Sequence, residues 1–239
     1  MEVEAVIFFI VTLGLTGAFF LELLPFYIKS GAFIVGLPVY GAAFQAFVSL
    51  LGRVFLLLIT PIVGIGLELG IIGDADIIRG FLVGYFFIIF VFITITIFRM
   101  FLIKFLSSYI KLSLSRNSYF TFPRKIDQSH NELIIFSRTL SIKDKKFFCG
   151  NIISAMFSIC MLPIIISLAS TYSEFRLSIY SLAPLVTFFG TFCNQYYVER
   201  ILSVYVQNHL SPLDVEFEFL VGRFSGYSLS VLIFMSLFL

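Results

Sequence analysis

The sequence predicts an all-α integral membrane protein with about six transmembrane helices. Hydrophobic residues make up 59% of the 239 residues and charged residues only 13%, about half of the charge that a soluble domain carries. The mean hydropathy is +1.04. Apolar residues come in runs of about 20 or more, the length that a helix needs to cross a bilayer. These runs do not alternate apolar and polar residues, as the strands of a membrane barrel would.

Six apolar runs define the predicted spans, three on each side of a basic segment. The spans are residues 3–27, 33–62, 77–105, 148–170, 177–206 and 217–239. The predicted organisation is therefore three helices in 1–106, a loop in 107–147 and three helices in 148–239. Pro163 and Pro184 fall inside the fourth and fifth runs, where we expect kinks. Each half has an odd number of spans, so the second half enters the membrane from the side opposite to the first. This is the arrangement of 3+3 inverted halves.

The basic loop sets the predicted orientation. Its basic residues are Lys111, Arg116, Arg124, Lys125, Arg138, Lys143, Lys145 and Lys146, and its acidic residues are Asp127, Glu132 and Asp144. An excess of Lys and Arg marks a cytoplasmic loop. We therefore expect a multi-pass protein of the cell (inner) membrane with both termini outside. Residues 132–138 fit an amphipathic helix on the membrane surface, and a solvated connector explains them equally well.

Charged side chains inside the apolar runs are the candidate functional residues. A charge at mid-membrane costs about 2.5–3.5 kcal/mol on insertion scales, so it usually faces the protein interior or a wet cavity. Since arginine binds phosphate with a planar fork, we assign five residues to the binding of an anionic headgroup. They are Arg53, Arg99, Arg200, Arg223 and Gln45. For Arg99 and Arg223, extension to the lipid headgroups is the alternative.

Two acidic residues inside the runs, Glu22 and Glu199, are assigned to charge pairing or to coupling. We expect Glu199 to pair with an arginine of another span, either Arg99 or Arg223, because the three lie at similar predicted depth. Such pairs hold helices together as readily as they couple transport to an ion. For Arg53 no carboxylate lies three or four residues away, so the sequence favours a ligand there.

Other classes of function find little support. The chain has no H-E-x-x-H, P-loop or G-x-S-x-G motif, so we expect a protein that is not an enzyme and has no metal and no cofactor. The net charge of +2 does not indicate a basic surface that would bind nucleic acid. The partners predicted are membrane lipids and a lipid-linked anionic substrate. Without a nucleotide site, transport would run on a gradient or with a protein partner.

Two short motifs resemble a known family, the Amj-type flippases that act as alternates to MurJ for the lipid II of peptidoglycan synthesis. One runs from Phe44 to Arg53 and continues eight residues later with Pro-Ile-Val-Gly at 61–64. The other is Gly-Arg-Phe-Ser-Gly at 222–226. The chain departs from the family pattern at Gly52, where the family has Ser, and at Leu56, where it has Asn, so it would be a divergent member.

The resemblance implies a flippase for a polyprenyl-diphosphate-linked glycan, such as a peptidoglycan precursor, in cell wall biogenesis. The alternative is a non-catalytic membrane subunit or assembly partner of a larger complex. A cavity lined by Arg53 and other charges would favour the flippase. A solidly packed bundle whose charges are all paired would favour the subunit.

The orientation can be tested by labelling single cysteines in intact cells, in a background with Cys149, Cys160 and Cys193 replaced by serine. A membrane-impermeant maleimide should modify Ala75→Cys, on the predicted outer side. It should leave Ser129→Cys unmodified until the membrane is permeabilised. The opposite pattern of labelling would invert the topology.

Overall fold

A computed structural model describes residues 2–69, 73–116, 144–157, 161–208 and 210–238, and nearly all of them are helical. The helices are α1 (Glu2–Ile34), α2 (Pro38–Glu68), α3 (Asp74–Arg116), α4 (Lys145–Ala155), α5 (Met161–Thr171), α6 (Arg176–Tyr180), α7 (Leu182–Cys193), α8 (Arg200–Gln207) and α9 (Glu216–Phe238). A π-helical segment, Asn194–Glu199, joins α7 to α8. The predicted all-α class is confirmed.

Four segments of the described chain are long and apolar enough to cross a membrane. They are Phe9–Ile34, Ala75–Ser115, Ser173–Gln207 and Pro212–Phe238. Two shorter apolar helices, Pro38–Gly52 and Met161–Thr171, accompany them. The apolar helices agree with a membrane protein, whereas the count of six crossings stays a prediction.

In the first half, α1 packs between α2 and α3. Residues that approach each other show that α2 runs antiparallel to α1 and that α3 runs parallel to it. The close pairs are Gly41 with Ala32 and Gly14 with Ile59 for α2, and Gly84 with Leu15 and Gly31 with Ser107 for α3. At 43 residues, α3 is about 65 Å long at 1.5 Å per residue. It is therefore about twice as long as the hydrocarbon core is thick.

Helix α9 connects the two halves of the molecule. It runs antiparallel to α1, with the Phe26 and Phe219 rings stacked at 4.2 Å and the Phe19 and Tyr227 rings edge to face at 4.7 Å. On its other side it runs alongside α4 in the same direction. There Gly222 lies against Asn151, and Gly226 lies against Ile152 and Ala155.

Some element boundaries differ from those predicted. Helix α1 continues past residue 27 to Ile34, because Pro25 is accommodated inside it. The chain turns only at Gly36, whose φ of +71° is a conformation that favours glycine. Helix α3 continues through the first ten residues of the predicted loop to Arg116. Residues 132–138, where a surface helix was predicted, lie outside the described residues.

One of the two prolines expected to kink a long helix instead lies at a helix start. Pro184 is the third residue of α7, whereas Pro163 lies in α5 shortly after residues 158–160, which are outside the described residues. A proline in the first turn removes no intrahelical hydrogen bond, because the amide groups there have no helical partner. The fourth predicted span contains α4 and α5, and residues 158–160 between them are outside the described residues. The fifth is interrupted at Ser181 and again by the π segment.

The contact between α4 and α9 gives a stability prediction. A Cβ at Gly226 would lie 2.5 Å from the Ile152 carbonyl oxygen and 2.8 Å from the Ala155 Cβ, whereas a Cβ at Gly64 meets nothing within 4 Å. We expect Gly226→Ala to cost about 1–3 kcal/mol through overpacking. The control, Gly64→Ala, should be neutral or gain up to about 1 kcal/mol in helix propensity. Thermal unfolding in detergent compares them, and equal melting temperatures would contradict the close packing.

Candidate functional site

The best-defined polar site surrounds Arg223 in α9, which is only 1% exposed. Its guanidinium donates hydrogen bonds to three helical segments. Nε donates to Asn151 Oδ1 of α4 at 3.1 Å, Nη2 to Asn194 Oδ1 of the π segment at 2.6 Å, and Nη1 to Glu22 Oε1 of α1. The central carbon of the guanidinium lies 5.5 Å from the centre of the Phe219 ring, over its face. This arginine is thus buried within the protein and does not extend to the lipid headgroups.

The acceptors around Arg223 are themselves fixed by hydrogen bonds. The Tyr227 hydroxyl donates to Glu22 Oε2 at 3.3 Å, and the Ser154 hydroxyl donates to Asn194 Oδ1 at 3.3 Å. The Asn151 amide donates to the Phe147 carbonyl at 2.9 Å, one turn earlier in α4. With their amide and carboxylate oxygens oriented in this way, the neighbours form a preorganised set of acceptors for one guanidinium.

A second ion pair lies two helical turns along α1 from Glu22. Lys29 Nζ lies 2.5 Å from Glu199 Oε2, and both side chains are largely buried. The predicted pairing of Glu199 with Arg99 or Arg223 is therefore wrong. The error follows from the predicted end of the first span, which placed Lys29 in a loop. Because α1 continues to Ile34, it brings Lys29 to the π segment instead.

A third ion pair joins Arg99 of α3 to Glu216 at the start of α9, with Nε and Oε1 3.9 Å apart. The Glu216 carboxylate is buried and lies in the first turn of α9, where the helix dipole favours negative charge. Each of these three pairs connects a residue of 2–116 with a residue of 144–238. The two halves are therefore joined by opposite charges as well as by apolar packing.

A cavity of about 70 Å³ lies beside Arg223, between α1, α2, α7 with its π segment, and α9. This is room for several water molecules. Its polar lining consists of Glu22, Ser49, Thr187, Thr191, Asn194, Gln195, Glu199 and Arg223. Gly52 of α2 and Gly190 of α7 form part of its wall. The arrangement can present a buried cation to an anionic group that enters between the halves.

The structure brings together some of the residues predicted from the sequence and separates others. Arg223, Glu22 and Glu199 line the same cavity. Gln45 is buried in α2 and Arg99 belongs to α3, but neither residue lines the cavity. Arg200 is exposed, and its guanidinium lies 5.3 Å from the centre of the Tyr196 ring.

The backbone of Arg53 belongs to α2, but its side chain lies outside the described part of the chain. Two of its neighbours in α2, Ser49 and Gly52, line the cavity.

The residues of the candidate site that were not assigned from the sequence include Lys29, Asn151, Asn194 and Tyr227. An asparagine inside an apolar run is a signal that could have identified Asn151, since its amide needs hydrogen-bond partners in such surroundings. Among the residues that the structure describes, no three His, Cys, Asp or Glu side chains form a group that could hold a metal ion.

Comparisons of the chain with protein-family models, with curated proteins and with solved structures found no match.

The buried pair of Arg223 and Glu22 gives a prediction about stability. Arg223→Met leaves the Glu22 carboxylate without its cation, which typically costs about 3–5 kcal/mol for a buried pair. We expect lower membrane abundance and a lower melting temperature, partly restored in the double variant Glu22→Leu, Arg223→Met. The exposed Arg200→Met is the control, with a change of about 0.5 kcal/mol or less. If Arg223→Met were as stable as this control, the pair would contribute little to the fold.

Proposed function

We propose that the protein is a membrane flippase that moves an anionic lipid, a polyprenyl-diphosphate-linked glycan such as a peptidoglycan precursor, across the cell (inner) membrane. The observation that carries the proposal is Arg223, a fully buried cation on the wall of a cavity between the two halves. Burying a cation inside a membrane protein is costly, and such residues usually serve substrate or ion pathways. The choice of glycan rests on the resemblance to Amj-type flippases.

The geometry suggests how an anionic lipid would be handled. Its phosphate would approach the guanidinium of Arg223, whose fork matches phosphate oxygens. Its hydrocarbon chain would stay in the bilayer, beside α7, where Phe188, Phe189 and Phe192 are exposed. Small residues in the cavity wall, among them Gly52 and Gly190, leave room for a lipid between α2 and α7.

Transport would require the halves to separate and close again. A cavity of about 70 Å³ holds several waters but is too small for a glycan headgroup, so the structure represents a closed state in this proposal. Opening would break the inter-half ion pairs, among them Lys29 with Glu199. The π segment, Asn194–Glu199, is a suitable place to bend, because π-helical turns depart from regular helical hydrogen bonding and often occur at functional sites.

Six crossings and an external N-terminus belong to the same proposal. The directions of the helices support alternating crossings, since α1 and α3 run one way while α2 and α9 run the other. Helix α4 runs in the same direction as α9. The first and last crossings of such a path would have opposite senses, as they do here for α1 and α9.

The second candidate is a non-catalytic membrane subunit that holds together a larger complex. The closed pairing of charges favours it, because Arg223, Lys29 and Arg99 each have an acidic partner in the other half. Such pairs could serve only to fix a rigid bundle. The two candidates differ in whether the protein restores lipid translocation by itself.

Growth of a strain depleted of its own lipid-linked precursor flippase tests the proposal. Expression of this chain should restore growth. Arg53→Leu should abolish the rescue without lowering membrane abundance, and Arg53→Lys should impair it because lysine lacks the planar fork. Arg79→Leu is the control, since the Arg79 side chain is 76% exposed near the start of α3, and it should rescue fully.

Each departure from this pattern has a defined meaning. Full rescue by Arg53→Leu would remove Arg53 from the substrate path. Loss of abundance in that variant would make Arg53 a structural residue. Failure of the wild-type chain to rescue growth at normal abundance would contradict the flippase proposal and favour the subunit.

A further inference from the structure

The hydrogen bonds of Arg223 differ in which of them an incoming ligand could replace. Glu22 and Asn194 line the cavity, whereas Asn151 belongs to α4, which contributes no lining residue among those described. An anion that enters from the cavity can therefore reach Nη1 and Nη2, now bound to Glu22 and Asn194, while Asn151 keeps its bond to Nε.

Glu22 is also the charged member of this set. Asn151 and Asn194 are neutral amides, so among the described residues the carboxylate of Glu22 is the group that forms an ion pair with Arg223. Glu199, the other carboxylate on the cavity wall, forms its ion pair with Lys29. The arrangement neutralises Arg223 when no ligand is bound, which a buried cation in a membrane requires.

We propose that Glu22 is an internal substitute for the ligand's phosphate, so that an anionic lipid binds by displacing the Glu22 carboxylate from Arg223. Carboxylate and phosphate oxygens bind guanidinium through the same forked geometry, and one can therefore replace the other. This inference rests on the proposed function and adds how the site is regulated.

The consequence of this competition is weakened binding. A ligand must first separate Glu22 from Arg223, so its observed affinity is lower than that of an open guanidinium. The displaced carboxylate stays close, since the Tyr227 hydroxyl holds its second oxygen and the cavity has room for water. Glu22 can then return to Arg223 and expel the ligand, which allows a transporter to release what it binds.

Binding to the purified full-length protein in lipid nanodiscs tests the inference by calorimetry. The probes are farnesyl diphosphate, neutral farnesol and inorganic diphosphate. Glu22→Gln should bind farnesyl diphosphate at least tenfold more tightly than the wild type, because the competing charge is gone. The double variant Glu22→Gln, Arg223→Gln should lose that binding. Farnesol should bind the wild type and Glu22→Gln with the same affinity. Inorganic diphosphate should bind more weakly than farnesyl diphosphate if the ligand is a lipid headgroup.

The control is Glu174→Gln, which removes the same charge from an exposed site that does not line the cavity, and its affinity should stay at the wild-type value. An equal gain in Glu174→Gln would overturn the displacement, since the effect would then be general electrostatics. Unchanged or weaker binding in Glu22→Gln, with Arg223 still required, would also overturn it while leaving the flippase proposal intact.

Other outcomes separate the two proposals further. If Glu22→Gln does not fold, Glu22→Asp replaces it, and we expect about a threefold gain because the shorter side chain pairs less well with Arg223. Its failure to gain affinity would overturn the displacement. If no folded variant binds any phosphate-bearing probe, the flippase proposal itself is wrong. Tight binding of inorganic diphosphate alone would overturn a lipid headgroup as the ligand.

Discussion

The burial of Arg223 is the constraint on which the rest of the structure depends. A cation with 1% exposure inside an apolar bundle is tolerable only if each of its nitrogens has an acceptor and its charge has a counter-charge. Those acceptors come from α1, α4 and the π segment. The positions of these elements around α9 are therefore fixed by one side chain. The glycines that flank it, Gly222 and Gly226, allow α4 to approach closely enough for Asn151 to reach Nε.

The other inter-half ion pairs extend this arrangement along α1 and α3. Glu22 and Lys29 are seven residues apart, which is about two turns of one helix face, and they bind α9 and the π segment respectively. Ionic contacts of this kind are directional and can be exchanged for contacts with water or with a ligand.

The π segment links this interface to the cavity. Asn194 and Glu199, at its two ends, bind Arg223 and Lys29, and both line the cavity. A ligand that altered either contact would act directly on the segment of α7–α8 where helical hydrogen bonding is least regular. The cavity and the contacts that join the halves therefore share residues, so a ligand bound in the proposed site would act on both.

Several features followed directly from the sequence. Long apolar runs with little charge require helices, because a helix satisfies its own backbone hydrogen bonds in lipid. Because burying a charge is costly, the sequence also indicated Glu22, Glu199 and Arg223 as candidate functional residues. All three line the cavity. The sequence misplaced the end of α1, because a proline in a long helix looks like a boundary when the packing that supports it is unknown.

What only the tertiary structure decided is which charges pair. The sequence by itself determined the helical class and the need for each buried charge to find a partner. It could not determine that Arg223 binds Glu22, 201 residues away, or that Glu199 binds Lys29. Those choices depend on the rotation and depth of each helix against its neighbours. Contacts between helices such as Gly226 with Ile152 and Gly41 with Ala32 set that rotation and depth, and they join residues whose proximity no local pattern in the chain records.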